Sequence, residues 1–222
     1  IIAGTGSNST AEALEATKEA ERIGVDACLL VVPYYNKPTQ EGLYQHFKII
    51  AQSTSLPCIL YNVPSRTVVS LSADTVIRLS RIDNIIGIKE ASGNMGEIAK
   101  IINNTEDFLV WSGNDSDTLP ILALGGYGVI SVASHLVGKQ IREMIDNFIS
   151  GRTDKAADIH RHLLPLVNAL FIVSNPIPVK YAVNHVGFNV GKPRLPLTEP
   201  DEKTATIIKD TLKNYKLSLI HI

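Results

Sequence analysis

Short apolar runs alternate six times with segments of helical periodicity along this chain, and that alternation admits few folds. The apolar runs are Ile1–Gly4, Ala27–Val32, Cys58–Tyr61, Ile85–Lys89, Phe108–Ser112 and Val129–Val132, each ending at turn residues. Helices are predicted over Thr10–Ile23, Gln40–Ser53, Ser72–Ser80, Met95–Ile102, Thr118–Leu124 and Gly138–Ile149. Ser9-Thr10 ahead of Glu12, and Ser72 ahead of Asp74, supply capping groups for two of the helix starts. Strands that are apolar throughout belong to a parallel sheet covered by helices, and a repeat this regular points to a barrel rather than a doubly wound sheet.

Six βα units are two fewer than a (β/α)8 barrel needs, and the chain opens on a strand with Ile1. The expected fold is therefore α/β, a (β/α)8 TIM barrel lacking its first two βα units, with strands 3 to 8 carried by residues 1–150. Its strand edges, left without partners, are expected to make residues 1–222 insoluble or molten when expressed alone. Further helices at about Asp154–Val173, Pro178–Val186 and Asp201–Lys216 are expected to form a C-terminal helical extension over 151–216, punctuated by Pro176, Pro178, Pro193 and Pro196. Leu217-Ser218-Leu219-Ile220-His221-Ile222 is what a common transposon-adaptor end would encode, so 217–222 is expected to be a non-native tail.

Composition narrows the function classes. A chain of 222 residues, 45% hydrophobic and 19% charged, can bury a large core and fits neither disorder nor a fibre. Its 21 basic and 22 acidic residues leave a net charge of −1, without the electrostatic footprint of a nucleic-acid binder or a polybasic membrane patch. No apolar run approaches the roughly 20 residues that span a bilayer, and a cytoplasmic location is expected. Cys28 and Cys58 lie in apolar runs without a CxxC pair and read as small core residues. His160 and His162 are two apart, which on a helix sends them to different faces, so no metal is expected.

Active groups of such a barrel sit at the C-terminal ends of its strands. Those ends read Gly4-Thr5-Gly6, Pro33-Tyr34-Tyr35, Tyr61-Asn62-Val63-Pro64-Ser65-Arg66, Lys89-Glu90, Ser112-Gly113-Asn114-Asp115 and Ile130-Ser131. Lys89 closes the run Ile85-Ile86-Gly87-Ile88-Lys89. An ammonium among apolar side chains is costly to charge, so its pKa falls and the neutral amine can attack a carbonyl. A strand-end lysine can equally snorkel to solvent or pair with a neighbour such as Glu90. Tyr61 ends the preceding strand, about 4.8 Å away by strand spacing, and a phenol beside an amine can relay protons.

Tyr61-Asn62-Val63-Pro64-Ser65-Arg66-Thr67 followed by Gly87-Ile88-Lys89-Glu90-Ala91 resembles the signature of the dihydrodipicolinate synthase (4-hydroxy-tetrahydrodipicolinate synthase) family. Pro33-Tyr34-Tyr35-Asn36-Lys37-Pro38, Gln40-Glu41-Gly42-Leu43-Tyr44 and Gly125-Gly126-Tyr127-Gly128-Val129-Ile130-Ser131 are similar to the same family, and the resemblance runs from Ile1 to about Lys216. It implies a class I Schiff-base lyase that condenses pyruvate with L-aspartate 4-semialdehyde in lysine and diaminopimelate biosynthesis. By resemblance, Lys89 forms the imine, so that no cofactor is needed, and Tyr61 shuttles protons. Arg66 holds the carboxylate of the second substrate, while the backbone around Gly113 and the carbonyl of Ile130 shape the pyruvate pocket. Tyr35 belongs to a proton relay completed across a subunit contact in a homotetramer, and the threonine pair that serves it is not in this sequence. Asn8, Glu12 and Tyr34 occupy positions that line an allosteric lysine site in lysine-inhibited members; Asn8 and Glu12 also suit a plain helix cap.

Related pyruvate aldolases, such as N-acetylneuraminate lyase or a 2-keto-3-deoxy sugar-acid aldolase, would share Lys89 and Tyr61. Arg66 separates them, because an acidic aldehyde needs a cation where a sugar does not. A non-catalytic truncated paralogue is the reading from a different class, and the intact Lys89 and Tyr61 argue against it.

Overall fold

Among the described residues, six parallel strands are hydrogen-bonded in chain order, β1 to β6, and helices follow them as the periodicity predicts. The computed structural model describes residues 1–215, so the expected tail at 217–222 lies outside the described residues. Two compact units divide between Ile130 and Ser131.

The first unit runs β1 (Ile2–Gly4), α1 (Thr10–Ile23), β2 (Ala27–Val31), α2 (Gln40–Ala51), β3 (Cys58–Asn62), α3 (Pro64–Thr67), α4 (Ala73–Leu79), β4 (Ile85–Glu90), α5 (Met95–Asn103), β5 (Leu109–Ser112), a 3-10 turn (Asp115–Asp117), α6 (Thr118–Ala123) and β6 (Gly128–Val129). The six strands form a partial TIM barrel. Ser9, Thr39, Ser72, Asn94 and Asp201 each accept a hydrogen bond at a helix N-terminus, which relieves one of the unpaired amides there. Gly24 ends α1 with a φ of 84°, a conformation that side chains with a Cβ resist.

Strand alternation sorts the side chains into rows. Leu30, Leu60, Ile88 and Val110 are register partners across β2 to β5, all essentially inaccessible, and they pack against Phe47, Val76, Ile98 and Ile121 in one core. One residue further along, Val31, Tyr61, Lys89, Trp111 and Gly128 form the next row on the opposite face. Cys28 and Cys58 are buried register partners, free thiols whose pKa values burial raises, that of Cys58 to about 12.

The β3–β4 ladder contains a shift. Cys58 pairs with Ile85 but Ile59 pairs with Gly87, so Ile86 is an extra residue in β4. Gly87 takes the place beside it because a Cβ there would come within 2.2 Å of the Leu109 carbonyl and 2.7 Å of the Trp111 ring.

The second unit holds α7 (Ser134–Ile149), α8 (Thr153–Leu170), α9 (Ile177–His185) and α10 (Glu202–Asn214). Helix α7 lies along α8, and α10 packs on both α8 and α9, burying Leu163, Leu166, Leu170, Ile208 and Leu212. The Tyr215 hydroxyl donates to the His162 carbonyl.

Several bounds differ from the sequence reading. β6 covers only Gly128–Val129 instead of continuing to Val132, because Ser131 Oγ accepts from the Ser134 amide and turns the chain into α7. That helix starts at Ser134 and bends at Val137, whose φ and ψ are −127° and 32°. The compact units part ahead of α7. Gly87→Ala should cost about 1–3 kcal/mol, since a rigid strand carbonyl cannot yield to the new methyl; the urea midpoint measures it.

Candidate active site

Tyr61 and Lys89 are Cα partners at the C-terminal ends of β3 and β4. The Lys89 Nζ stands over the Tyr61 ring, 4.3 Å from its centroid. Both side chains are half-buried. Burial lowers the Lys89 pKa by penalising the ammonium; the Asp115 carboxylate pulls it back up and the Arg66 charge pushes it further down. Burial raises the Tyr61 pKa, and Arg66 opposes that rise. The amine is thus biased toward its nucleophilic form and the phenol toward its protonated one.

The surrounding strand ends close in on this pair. Gly113, just past β5, donates its amide to the Glu90 carbonyl at 2.7 Å. A Cβ on Gly113 would lie 2.7 Å from that of Ala91 and 3.2 Å from Lys89 Cγ, so only glycine lets the backbone approach the lysine stem. Ile130, past β6, donates its amide to Ser112 at 3.0 Å and is half-buried. Arg66 rides on α3, whose first turn is set by Pro64 and whose end at Val68 has a left-handed φ of 67°. A β-branched residue in that region is strained.

The model of the dihydrodipicolinate synthetase family matches residues 1–215. The 4-hydroxy-tetrahydrodipicolinate synthase of Dehalococcoides mccartyi is 70% identical over 220 residues, which are 99% of this chain and 74% of that protein. The chain belongs to the dihydrodipicolinate synthetase family. Among solved structures, the dihydrodipicolinate synthase of Cyanidioschyzon merolae with lysine bound superposes with a TM-score of 0.94 at 46% identity, covering 96% of this chain and 72% of that one. The chloride-inhibited enzyme of Acinetobacter baumannii complexed with pyruvate gives 0.93 at 46% identity, covering 98% and 75%. The chain spans about three quarters of the length of these relatives.

Within this family fold, the structure brings Lys89, Tyr61 and Gly113 together directly, and Arg66 acts electrostatically on the first two. Tyr35 is 87% exposed, with a strained φ of 75°. Asn36 joins two of the other expected positions: its side chain donates to the Asn8 carbonyl at 2.8 Å and its amide to that of Tyr34 at 3.0 Å. Glu12 accepts from Ser7 Oγ at 2.7 Å. Ser9, the residue after Asn8, caps α1 by accepting from the Glu12 amide.

Glu90 is not the partner of Lys89. It is 1% exposed on the opposite face, where it accepts from Asn62 Nδ2 and the Ser92 amide. Strand alternation alone would have sent adjacent residues to opposite sides. Sequence reasoning also overlooked Asp115, 7% exposed, as the carboxylate that acts on Lys89. Its place at a strand end was the available signal.

Because the fold lowers the Lys89 pKa, the folded state binds that proton more weakly than the unfolded chain. The charged lysine therefore weakens the fold at neutral pH. That cost fades as pH rises through the folded pKa toward the ordinary lysine range. Lys89→Met should accordingly relieve this cost at pH 7, with the benefit shrinking at alkaline pH, as thermal melts over a pH series would show.

Proposed function

We propose that this chain carries out the 4-hydroxy-tetrahydrodipicolinate synthase reaction, condensing pyruvate with L-aspartate 4-semialdehyde in lysine and diaminopimelate biosynthesis. The observation that carries the reading is the Lys89 amine held over the Tyr61 ring at paired strand ends. The neutral amine adds to the keto carbon of pyruvate, and once a proton is delivered to the carbinol oxygen, water leaves to give an iminium on Lys89. The iminium draws electrons from the methyl carbon, whose proton departs to leave an enamine. The enamine carbon attacks the aldehyde, and the new alkoxide takes a proton. The amino group of the second substrate then displaces Lys89 from the imine carbon and closes the ring, regenerating the free amine.

Tyr61 is the group within reach for these proton transfers, and its raised pKa keeps the phenol a donor. Arg66 pairs with the carboxylate of the aldehyde substrate. Gly113 and the Ile130 carbonyl border the pyruvate. The imine is covalent, so the chemistry draws on no added cofactor. Tyr35, exposed at 87%, completes its relay across a subunit contact of a homotetramer, and the enzyme works in the cytoplasm.

Pyruvate with borohydride should leave one reduced adduct on the full-length protein, at Lys89 by peptide mass spectrometry. Lys89→Ala should abolish it, and labelling of another lysine would overturn the assignment. Tyr61→Phe should lower kcat about 100-fold or more with a smaller change in KM.

Asn8, Glu12 and Tyr34 are proposed as a lysine-binding inhibitory site, supported by the tie through Asn36 and by the Cyanidioschyzon merolae relative described with lysine bound. Glu12 would meet the ligand's α-ammonium. Millimolar lysine should slow the wild-type enzyme and leave Glu12→Ala unaffected; an indifferent wild type ends the regulatory reading.

A further inference from the structure

Asn62 and Glu90 follow Tyr61 and Lys89 in their strands and are themselves register partners. Alternation turns them away from the reactive pair toward the helical layer, where they are 2% and 1% exposed. Asn62 Nδ2 donates to both carboxylate oxygens of Glu90, at 3.0 and 3.2 Å. Glu90 Oε1 also accepts the Ser92 amide at 2.7 Å. With Nδ2 committed to the carboxylate, Asn62 Oδ1 faces the Leu71 amide and accepts from it at 3.0 Å.

One asparagine side chain therefore closes the neck of the segment between Asn62 and Leu71, which carries α3 and Arg66. Its amide group also reaches the Leu71 carbonyl at 3.4 Å. Inside the loop, Thr67 Oγ1 lies 3.1 Å from the Val63 carbonyl and 2.8 Å from that of Val69, winding the segment tightly around the strained Val68. Such a closed loop has little freedom except at its neck. Buried polar groups of this kind are costly unless satisfied, and an apolar pair could fill the same space without that cost. What an apolar pair could not do is choose which way the neck faces.

We propose that Asn62 and Glu90 form a positioning latch that references the Arg66 loop to the strand bearing Lys89, and so sets the place of the aldehyde's carboxylate. The inference rests on the synthase reading. Burial raises the Glu90 pKa, while the bonds from Ser92 and Asn62 oppose that rise.

Glu90→Gln keeps the shape but, with its oxygen kept on the Ser92 amide, turns an amide group toward Asn62 Nδ2, donor against donor. Asn62→Asp sets two carboxylates face to face. Each should lower kcat/KM for aspartate semialdehyde about 10–100-fold, mainly through KM, while pyruvate and borohydride still label Lys89 at the wild-type rate. The swap Asn62→Asp/Glu90→Gln restores donor to acceptor and should recover most of the loss, which keeps the test valid if a single variant fails to fold. In an Arg66→Ala background, Glu90→Gln should cost no more than about twofold further, because a latch without its arginine has nothing left to place.

Losses that multiply with Arg66→Ala would overturn the latch. So would aldehyde kinetics per folded enzyme unchanged in both single variants, or pyruvate labelling that falls in step with turnover. Failure of the wild type to be labelled at Lys89 would instead remove the synthase reading itself.

Discussion

The extra residue Ile86 in β4 is the constraint on which the reactive geometry depends. Had the ladder continued from Cys58 and Ile85 without it, Tyr61 would pair with Ile88, and Lys89 would fall out of the tyrosine's row. The shift instead places Lys89 opposite Tyr61 and keeps Ile88 with Leu60 in the core. A bulge re-aims side chains at the cost of one unpaired position, and here it reconciles a buried apolar row with a chemical one. Gly87 belongs to the same solution, because β5 passes too close there for any side chain.

Three successive rows then divide the labour at the strand ends. Leu60, Ile88 and Val110 hold the sheet to its helices. Tyr61, Lys89 and Trp111 present the reactive face. Asn62, Glu90 and Ser112 return to the helical side as buried polar groups, and their hydrogen bonds run to the loops rather than to the helices: Asn62 to Leu71, Glu90 to Ser92, Ser112 to Asn114. Side chains that would merely fill space could be apolar. Polar ones at this level fix where each loop leaves its strand.

Electrostatics at Lys89 is a balance of three influences, with burial and Arg66 disfavouring the ammonium and Asp115 favouring it. A lysine that must be neutral to attack and charged as an iminium afterwards suits such an environment, since neither state is held too firmly.

The sequence by itself determined the order of strands and helices, their parallel arrangement, most helix starts and the identity of Lys89 and Tyr61 as a pair. Those features follow from local periodicity, capping side chains and a contiguous motif, all of which are read within a few residues. Tertiary structure alone decided the register shift at Ile86, the approach of Gly113 to the lysine stem and the burial of Glu90 against Asn62. Each of these depends on which residue of one strand meets which residue of another. Alternating hydrophobicity says which face a side chain takes but not the partner it finds there, because pairing is settled by the packing of segments far apart in the chain.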